Sequence, residues 1–229
     1  MTILEINPHF KAYVKHIGKE KVPLLLIEDI FAKPDLVREY AFSREFPSSQ
    51  AYYPGRHQPL TDDGQGLNKF LSFMAKVISH ATNIKIEPGW ITSDFSIITT
   101  PEDQLLSTQG QPHIDGTPML GVIYLNPQPM GGTVFFNNND TNSMVVLTAE
   151  QKQHYQKIST TADSQVDKKY IIDSTQAWSV VERIPGTYNK LVMWPGHVFH
   201  SVEVLMKPQP GEPLTHKRLT QRIILNQVK

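Results

Sequence analysis

Two metal-binding side chain types, an imidazole and a carboxylate, stand two residues apart at His113-Ile114-Asp115. In an extended backbone residues i and i+2 project to the same side, so both groups can reach one ion. Taken alone the triplet says little, because a chain with 9 histidines produces His-x-Asp readily by chance. A third ligand has to come from elsewhere. The segment from Tyr188 to Val202 reads as a strand, a Pro195-Gly196 turn and a second strand opened by a histidine. His197 and His200 compete for the role, and on a strand they would face opposite sides. His200 is the expected ligand, since it opens Ser201-Val202-Glu203-Val204 and so has a fixed direction. His197 sits in the turn and is expected at the surface or behind the ligands. For His113 and His200 taken singly, a structural hydrogen-bonded role stays open.

A second group of candidates lies near the carboxyl terminus. Alternation along Arg218-Leu219-Thr220-Gln221-Arg222 puts Arg218, Thr220, Arg222 and Ile224 on one strand face. If that face is interior, at least one guanidinium needs an anionic partner, because an unpaired buried charge is very costly. A ligand carboxylate held by the arginine fork, with the Thr220 hydroxyl adding a hydrogen bond, is one solution. Solvated arginines on an edge strand are the other.

The elements that must position these residues follow from periodicity. Val22 to Ile30 reads as a strand, and Pro34-Asp35 opens a helix to about Arg44, with proline in the first turn where no amide is needed. After a loop at Tyr52-Tyr53-Pro54-Gly55-Arg56, apolar residues at Leu67, Phe70, Leu71, Met74, Val77 and Ile78 predict an amphipathic helix over 66–81. Beyond Ile84 come short β-branched and aromatic runs: 91–100, 119–126, 133–136, 190–194, 200–205 and 218–226. This texture predicts a mainly β fold with flanking helices, a sandwich or jelly roll. Residues 137–189 lapse into a polar loop, a helix over about 148–157 and a charged hinge before Tyr170. That stretch is expected as an insertion lying over the sheet as a lid or side wall. The 229 residues are read as a single domain, with 1–83 supporting and 84–229 forming the core.

Composition removes several classes of function. Lysine plus arginine equals aspartate plus glutamate at 22 each, so no global field draws the chain to nucleic acid or an anionic membrane. The absence of cysteine excludes disulfides, thiolate metal sites and thiol nucleophiles, and leaves nitrogen and oxygen ligands for any metal. The best early apolar run, Leu24 to Ile27, is too short for a signal core or a membrane span. A cytoplasmic protein is expected.

The combination His113-x-Asp115, a distal His200 and Arg218-x-Thr220 resembles the Fe(II)/2-oxoglutarate-dependent oxygenase superfamily. The connecting residues resemble its prolyl-hydroxylase-like members: Tyr124-Leu125-Asn126 followed by Gly131-Gly132-Thr133-Val134-Phe135, and Asn189 to Gly196 ahead of the distal histidine. Tyr53-Pro54-Gly55-Arg56 resembles an uncharacterised bacterial branch. The resemblance covers roughly 90–136 and 186–227. It implies a double-stranded β-helix of cupin type, with His113, Asp115 and His200 as Fe(II) ligands. It further implies that Arg218 binds the distal carboxylate of 2-oxoglutarate with Thr220 assisting, Arg222 being held in reserve. Tyr124 could line the cosubstrate pocket or simply pack in the core. The interval from His200 to Arg218 is longer than is common in the superfamily, and a loop with Pro208, Pro210 and Pro213 fills it.

The implied activity couples oxidative decarboxylation of 2-oxoglutarate by O2, giving succinate and CO2, to oxidation of a substrate. Halogenating relatives lack the carboxylate ligand, so Asp115 favours hydroxylation. The substrate is expected to be a small molecule or an amino-acid or peptide group. A jelly-roll protein that binds a metal or small acid without turnover is the alternative from the binding class. A cupin-type isomerase or dioxygenase that needs no 2-oxoglutarate is a third reading.

Overall fold

A computed structural model describes residues 2–47, 53–61, 64–153, 155 and 168–228. Ten strands and two α-helices organise them: β1 Lys11–Ile17, β2 Val22–Glu28, α1 Pro34–Phe42, β3 Gly55–Pro59, α2 Leu67–Thr82, β4 Ile91–Ile98, β5 Met119–Tyr124, β6 Thr133–Asn138, β7 Trp178–Ile184, β8 Leu191–Pro195, β9 His200–Val202 and β10 Leu219–Leu225. A seven-stranded sheet runs β1-β2-β8-β5-β10-β4-β3, and a three-stranded sheet runs β7-β6-β9. Every pairing is antiparallel.

Alternation along the large sheet separates two cores. Leu25 and Ile27 of β2, Leu191 and Met193 of β8, Ile123 of β5 and Leu219 and Ile223 of β10 pack with Val37 and Ala41 of α1 and with Phe70, Met74 and Ile78 of α2. Their sequence neighbours Leu24, Leu26, Val192, Trp194, Val122 and Tyr124 turn the other way and pack with Phe135 of the small sheet. Central strands covered on both faces are apolar at nearly every position, which is why β2 reads Val-Pro-Leu-Leu-Leu-Ile-Glu. β10 departs from this rule. Leu219, Ile223 and Leu225 feed the helix side, whereas Thr220 and Arg222 face the space between the sheets.

Three strands were not expected. β1 is an edge strand exposed at six of its seven positions, and β3 reads Gly-Arg-His-Gln-Pro, so neither shows the apolar alternation that marks a strand. The third, β7, pairs with β6 through residues 178–184. A member of the small sheet therefore comes from within the stretch 137–189 expected as an insertion. Of the helix expected over about 148–157, residues 149–153 are helical, while 154 and 156–167 lie outside the described residues. No helix among the described residues is long and apolar enough to cross a membrane.

Candidate active site

The segment bearing His113 and Asp115 is docked on the one bearing His200. His113 N–H donates to the His200 carbonyl at 2.9 Å and His200 N–H to the His113 carbonyl at 3.0 Å, an antiparallel bridge that extends the small sheet beyond β9. Asp115 N–H donates to the Gly196 carbonyl at 2.7 Å. The approach needs glycine there, since a Cβ at position 196 would stand 1.9 Å from the Thr117 carbonyl oxygen. The Pro195-Gly196 turn thus sets the spacing between the two halves of the cluster.

One ligand atom from each of His113, Asp115 and His200 falls within 4.8 Å of the other two. The imidazole centroids are 4.5 Å apart, and His200 Nε2 lies 3.3 Å from Asp115 Oδ2. Each Nδ1 faces a backbone carbonyl at 2.9 Å, Gln111 for His113 and Val198 for His200. A carbonyl only accepts, so Nδ1 carries the proton in both rings and Nε2 keeps its lone pair for a ligand bond. Trp194 Nε1 approaches His200 Nδ1 at 3.2 Å, but that nitrogen cannot both donate to Val198 and accept from the indole. The shorter contact assigns the proton, and Trp194 acts as a wall. Burial holds the His200 imidazole down at about 4, so it stays neutral and able to bind metal at physiological pH.

Asp115 Oδ2 is buried and has no hydrogen-bond partner among the described residues. A buried anionic oxygen without a donor costs several kcal/mol in order of magnitude, and native proteins rarely leave one. A divalent cation shared with the two Nε2 atoms would satisfy it, so this donor set fits the metal that the sequence implies.

The cluster opens into a cavity of about 860 Å³. Arg218 lines it from just ahead of β10, Thr220 and Arg222 from β10, Tyr53 and His57 from the amino-terminal segment, Trp178 and Tyr155 from within 137–189, and Leu120 and Val122 from β5. Arg218, buried just ahead of the strand, donates through Nε to the Gly131 carbonyl at 3.2 Å and through Nη2 to the Gly132 carbonyl at 2.9 Å, with its guanidinium carbon 5.6 Å from the Tyr124 ring centroid. The glycine pair is sterically required: a Cβ at 132 would lie 1.8 Å from the Ile184 oxygen, and one at 131 would lie 2.1 Å from the Glu203 oxygen. The long loop before Arg218 is closed by Lys217, whose ammonium binds the Gln209 carbonyl and the Glu212 carboxylate. The extra length is absorbed there, and Arg218 stays on the cavity face.

Arg222 makes a forked ion pair with Asp94, Nε to Oδ1 at 2.8 Å and Nη2 to Oδ2 at 2.5 Å. The anionic partner demanded by this strand face is therefore partly internal. Ser96 donates to Asp94 and pairs with His57 Nδ1, each at 3.1 Å. Burial, reinforced by Arg222, depresses His57 to about 4 and keeps it neutral.

Five of the expected site residues, His113, Asp115, His200, Arg218 and Thr220, line one cavity. Tyr124 does not line it. Its phenol is buried against Thr133 at 2.8 Å and pushed up to about 12 by burial, so it packs behind the wall as core. His197 is half-buried and outside the cavity lining. Asp94, Tyr53 and His57 were not anticipated. A signal for Asp94 existed: it is the one acidic residue within the strand Ile91–Ile98, and an acid there asks for a cation on the neighbouring strand.

Two antiparallel sheets with a His-Asp-His cluster and an arginine-lined cavity between them define a double-stranded β-helix. Among solved structures, a prolyl-4-hydroxylase from Pseudomonas putida matches 92% of this chain and 95% of its own length, with a TM-score of 0.52 and 14% identity. A non-heme alpha-ketoglutarate-dependent epimerase from nogalamycin biosynthesis matches 90% of this chain and 79% of its own, with a TM-score of 0.50 and 8% identity. At those identities the likeness is one of fold, and it bears out the expected architecture. The chain belongs to the family of unknown function DUF6445, whose model matches residues 8–225. No curated protein matches it.

Proposed function

We propose that this protein is an Fe(II)- and 2-oxoglutarate-dependent dioxygenase of the hydroxylase type. The observation that carries the reading is the Oδ2 of Asp115, without a hydrogen-bond partner among the described residues and buried beside the free Nε2 of His200, in a cavity that a buried arginine also lines. His113, Asp115 and His200 would hold the iron on one face, and bound iron with 2-oxoglutarate and O2 would supply the oxidising chemistry. Arg218 would orient the cosubstrate through its distal carboxylate. The carbonyls of Gly131 and Gly132 hold the guanidinium in place before any ligand arrives, so little freedom is lost on binding. Trp178, Tyr155, Leu120 and Val122 exclude water and give a substrate an apolar bed, in a space large enough for a small molecule or an amino-acid side chain.

The test is anaerobic Fe(II) titration together with succinate formation from 2-oxoglutarate. His200→Ala and Asp115→Ala should each lose iron binding and turnover, and His197→Ala should keep both. Equal losses at 197 and 200 would overturn the ligand assignment. Tight iron binding with no succinate formed, in the presence of compound pools, would leave a binding protein in place of an enzyme.

A further inference from the structure

The motif Tyr53-Pro54-Gly55 is built as a tight turn that sets one phenol ring in the cavity wall. Gly55 N–H donates to the Tyr53 carbonyl at 2.8 Å, closing three residues around a proline whose ring fixes its φ. The Pro54 carbonyl accepts from the amides of Thr99 and Thr100, each at 3.2 Å, and the Tyr53 carbonyl accepts from Gln109 Nε2 at 3.2 Å. Glycine is obligatory at 55, where a Cβ would meet the Ile97 oxygen at 1.9 Å. The turn is thus pressed onto the end of β4, and the Tyr53 ring, stacked on His57 with centroids 4.3 Å apart, lines the cavity.

The Tyr53 hydroxyl is buried and makes no hydrogen bond of ordinary geometry among the described residues. Ser96 pulls on it weakly, but the Ser96 hydroxyl is committed to Asp94 and His57. Burial raises the phenol, so it remains a donor, and the Arg222 guanidinium carbon stands 5.8 Å from its ring centroid. An O–H held this firmly, in the wall of a cavity that Arg218 also lines, lacks only an acceptor. Arg222 is already matched by Asp94, whereas Arg218 has two neutral carbonyls and, among the described residues, no carboxylate. The missing acceptor is therefore an anionic oxygen that would also complete Arg218.

We propose that Tyr53 is a cosubstrate-binding residue, its phenol donating to the carboxylate that Arg218 and Thr220 hold. This rests on the 2-oxoglutarate reading above and assigns to the amino-terminal segment a part in the site that the β-helix motifs do not contain. The distal carboxylate then gains three kinds of donor, from β10 and from the turn before β3, and a 2-oxo acid lacking that carboxylate gains none of them.

Calorimetry on the Mn(II)-loaded protein, with 2-oxoglutarate and 2-oxobutyrate as ligands, tests this without turnover. Tyr53→Phe keeps the ring against His57 and removes one oxygen. It should raise the 2-oxoglutarate Kd roughly ten- to a hundredfold, the range for a hydrogen bond to a charged group, and leave the 2-oxobutyrate Kd unchanged. Thermal unfolding of the ligand-free variant should occur at or above the parent temperature, because an unsatisfied buried hydroxyl is removed. Unchanged 2-oxoglutarate affinity, an equal loss for both acids, or a lowered unfolding temperature would each overturn the assignment. If the parent itself shows no preference for 2-oxoglutarate over 2-oxobutyrate, the proposal fails together with the cosubstrate reading, and the failure is recognisable because it precedes any substitution.

Discussion

Arg218, just ahead of β10, and Arg222, within it, lie four residues apart and line one cavity, yet they are different kinds of residue. Arg222 is closed on itself: Asp94 takes two of its nitrogens, Ser96 braces Asp94, and neutral His57 completes a network with no net charge. Arg218 is more deeply buried and has only carbonyl oxygens and an aromatic face for company. The first arrangement is structural and self-sufficient. The second holds a positive charge in place without neutralising it, as a binding site does before its ligand arrives. Asp115 repeats the pattern with the opposite sign, and both unneutralised charges line the same cavity.

That contrast can be broken most severely at Asp115. Removing a ligand should cost more than roughly the hundredfold seen when outer-sphere partners of metal ligands are lost. Asp115→Ala should therefore abolish measurable Fe(II) binding by titration, while denaturant unfolding of the metal-free protein shows no loss of stability, since the orphaned oxygen supports nothing. Asp94→Ala should do the reverse. It strands Arg222 and should destabilise the protein by about 3 kcal/mol in urea unfolding, with iron affinity retained. Arg218→Lys, which keeps the charge but loses the fork, should raise the 2-oxoglutarate Kd roughly ten- to a hundredfold, and Arg222→Lys should move it only a few-fold. A collapse of 2-oxoglutarate binding in the Arg222 variant alone would reverse the roles.

The smallest effect concerns pH. His57 and His200 both sit at about 4 in the folded chain against an ordinary 6.5. Between those values the unfolded chain binds protons that the folded one refuses, so stability is complete above pH 6.5 and is lost as pH falls toward 4. His57→Gln should flatten this slope by roughly one proton in acid titrations of metal-free protein followed by circular dichroism.

Legibility in the sequence tracked how much each residue announces through its neighbours. α1, α2, β2 and β8 carry apolar periods or runs that bury on known faces, and each lies within a few residues of where periodicity put it. β1 and β3 are edge strands whose ladders rest on backbone hydrogen bonds, which leave no trace in side-chain pattern. β7 was obscured by its setting, a polar stretch in which Trp-Ser-Val-Val-Glu-Arg-Ile is half-buried at most positions. Tyr124 was left open between the cosubstrate pocket and the core. Its strand and face were readable, but whether a tyrosine reaches the cavity depends on Thr133 standing in front of it.

Alone, the sequence determined the ligand types, the two-residue spacing that puts His113 and Asp115 on one side of the chain, the preference for His200 over His197, and the alternation that aligns Arg218, Thr220 and Arg222. These are consequences of backbone geometry within a few residues. Only the tertiary structure decided which charges are matched: Asp94 meets Arg222 across 128 positions, and Tyr53 reaches the cavity from a turn pressed onto β4. Ion pairing and burial depend on distance in space, and no local pattern encodes which distant residue arrives.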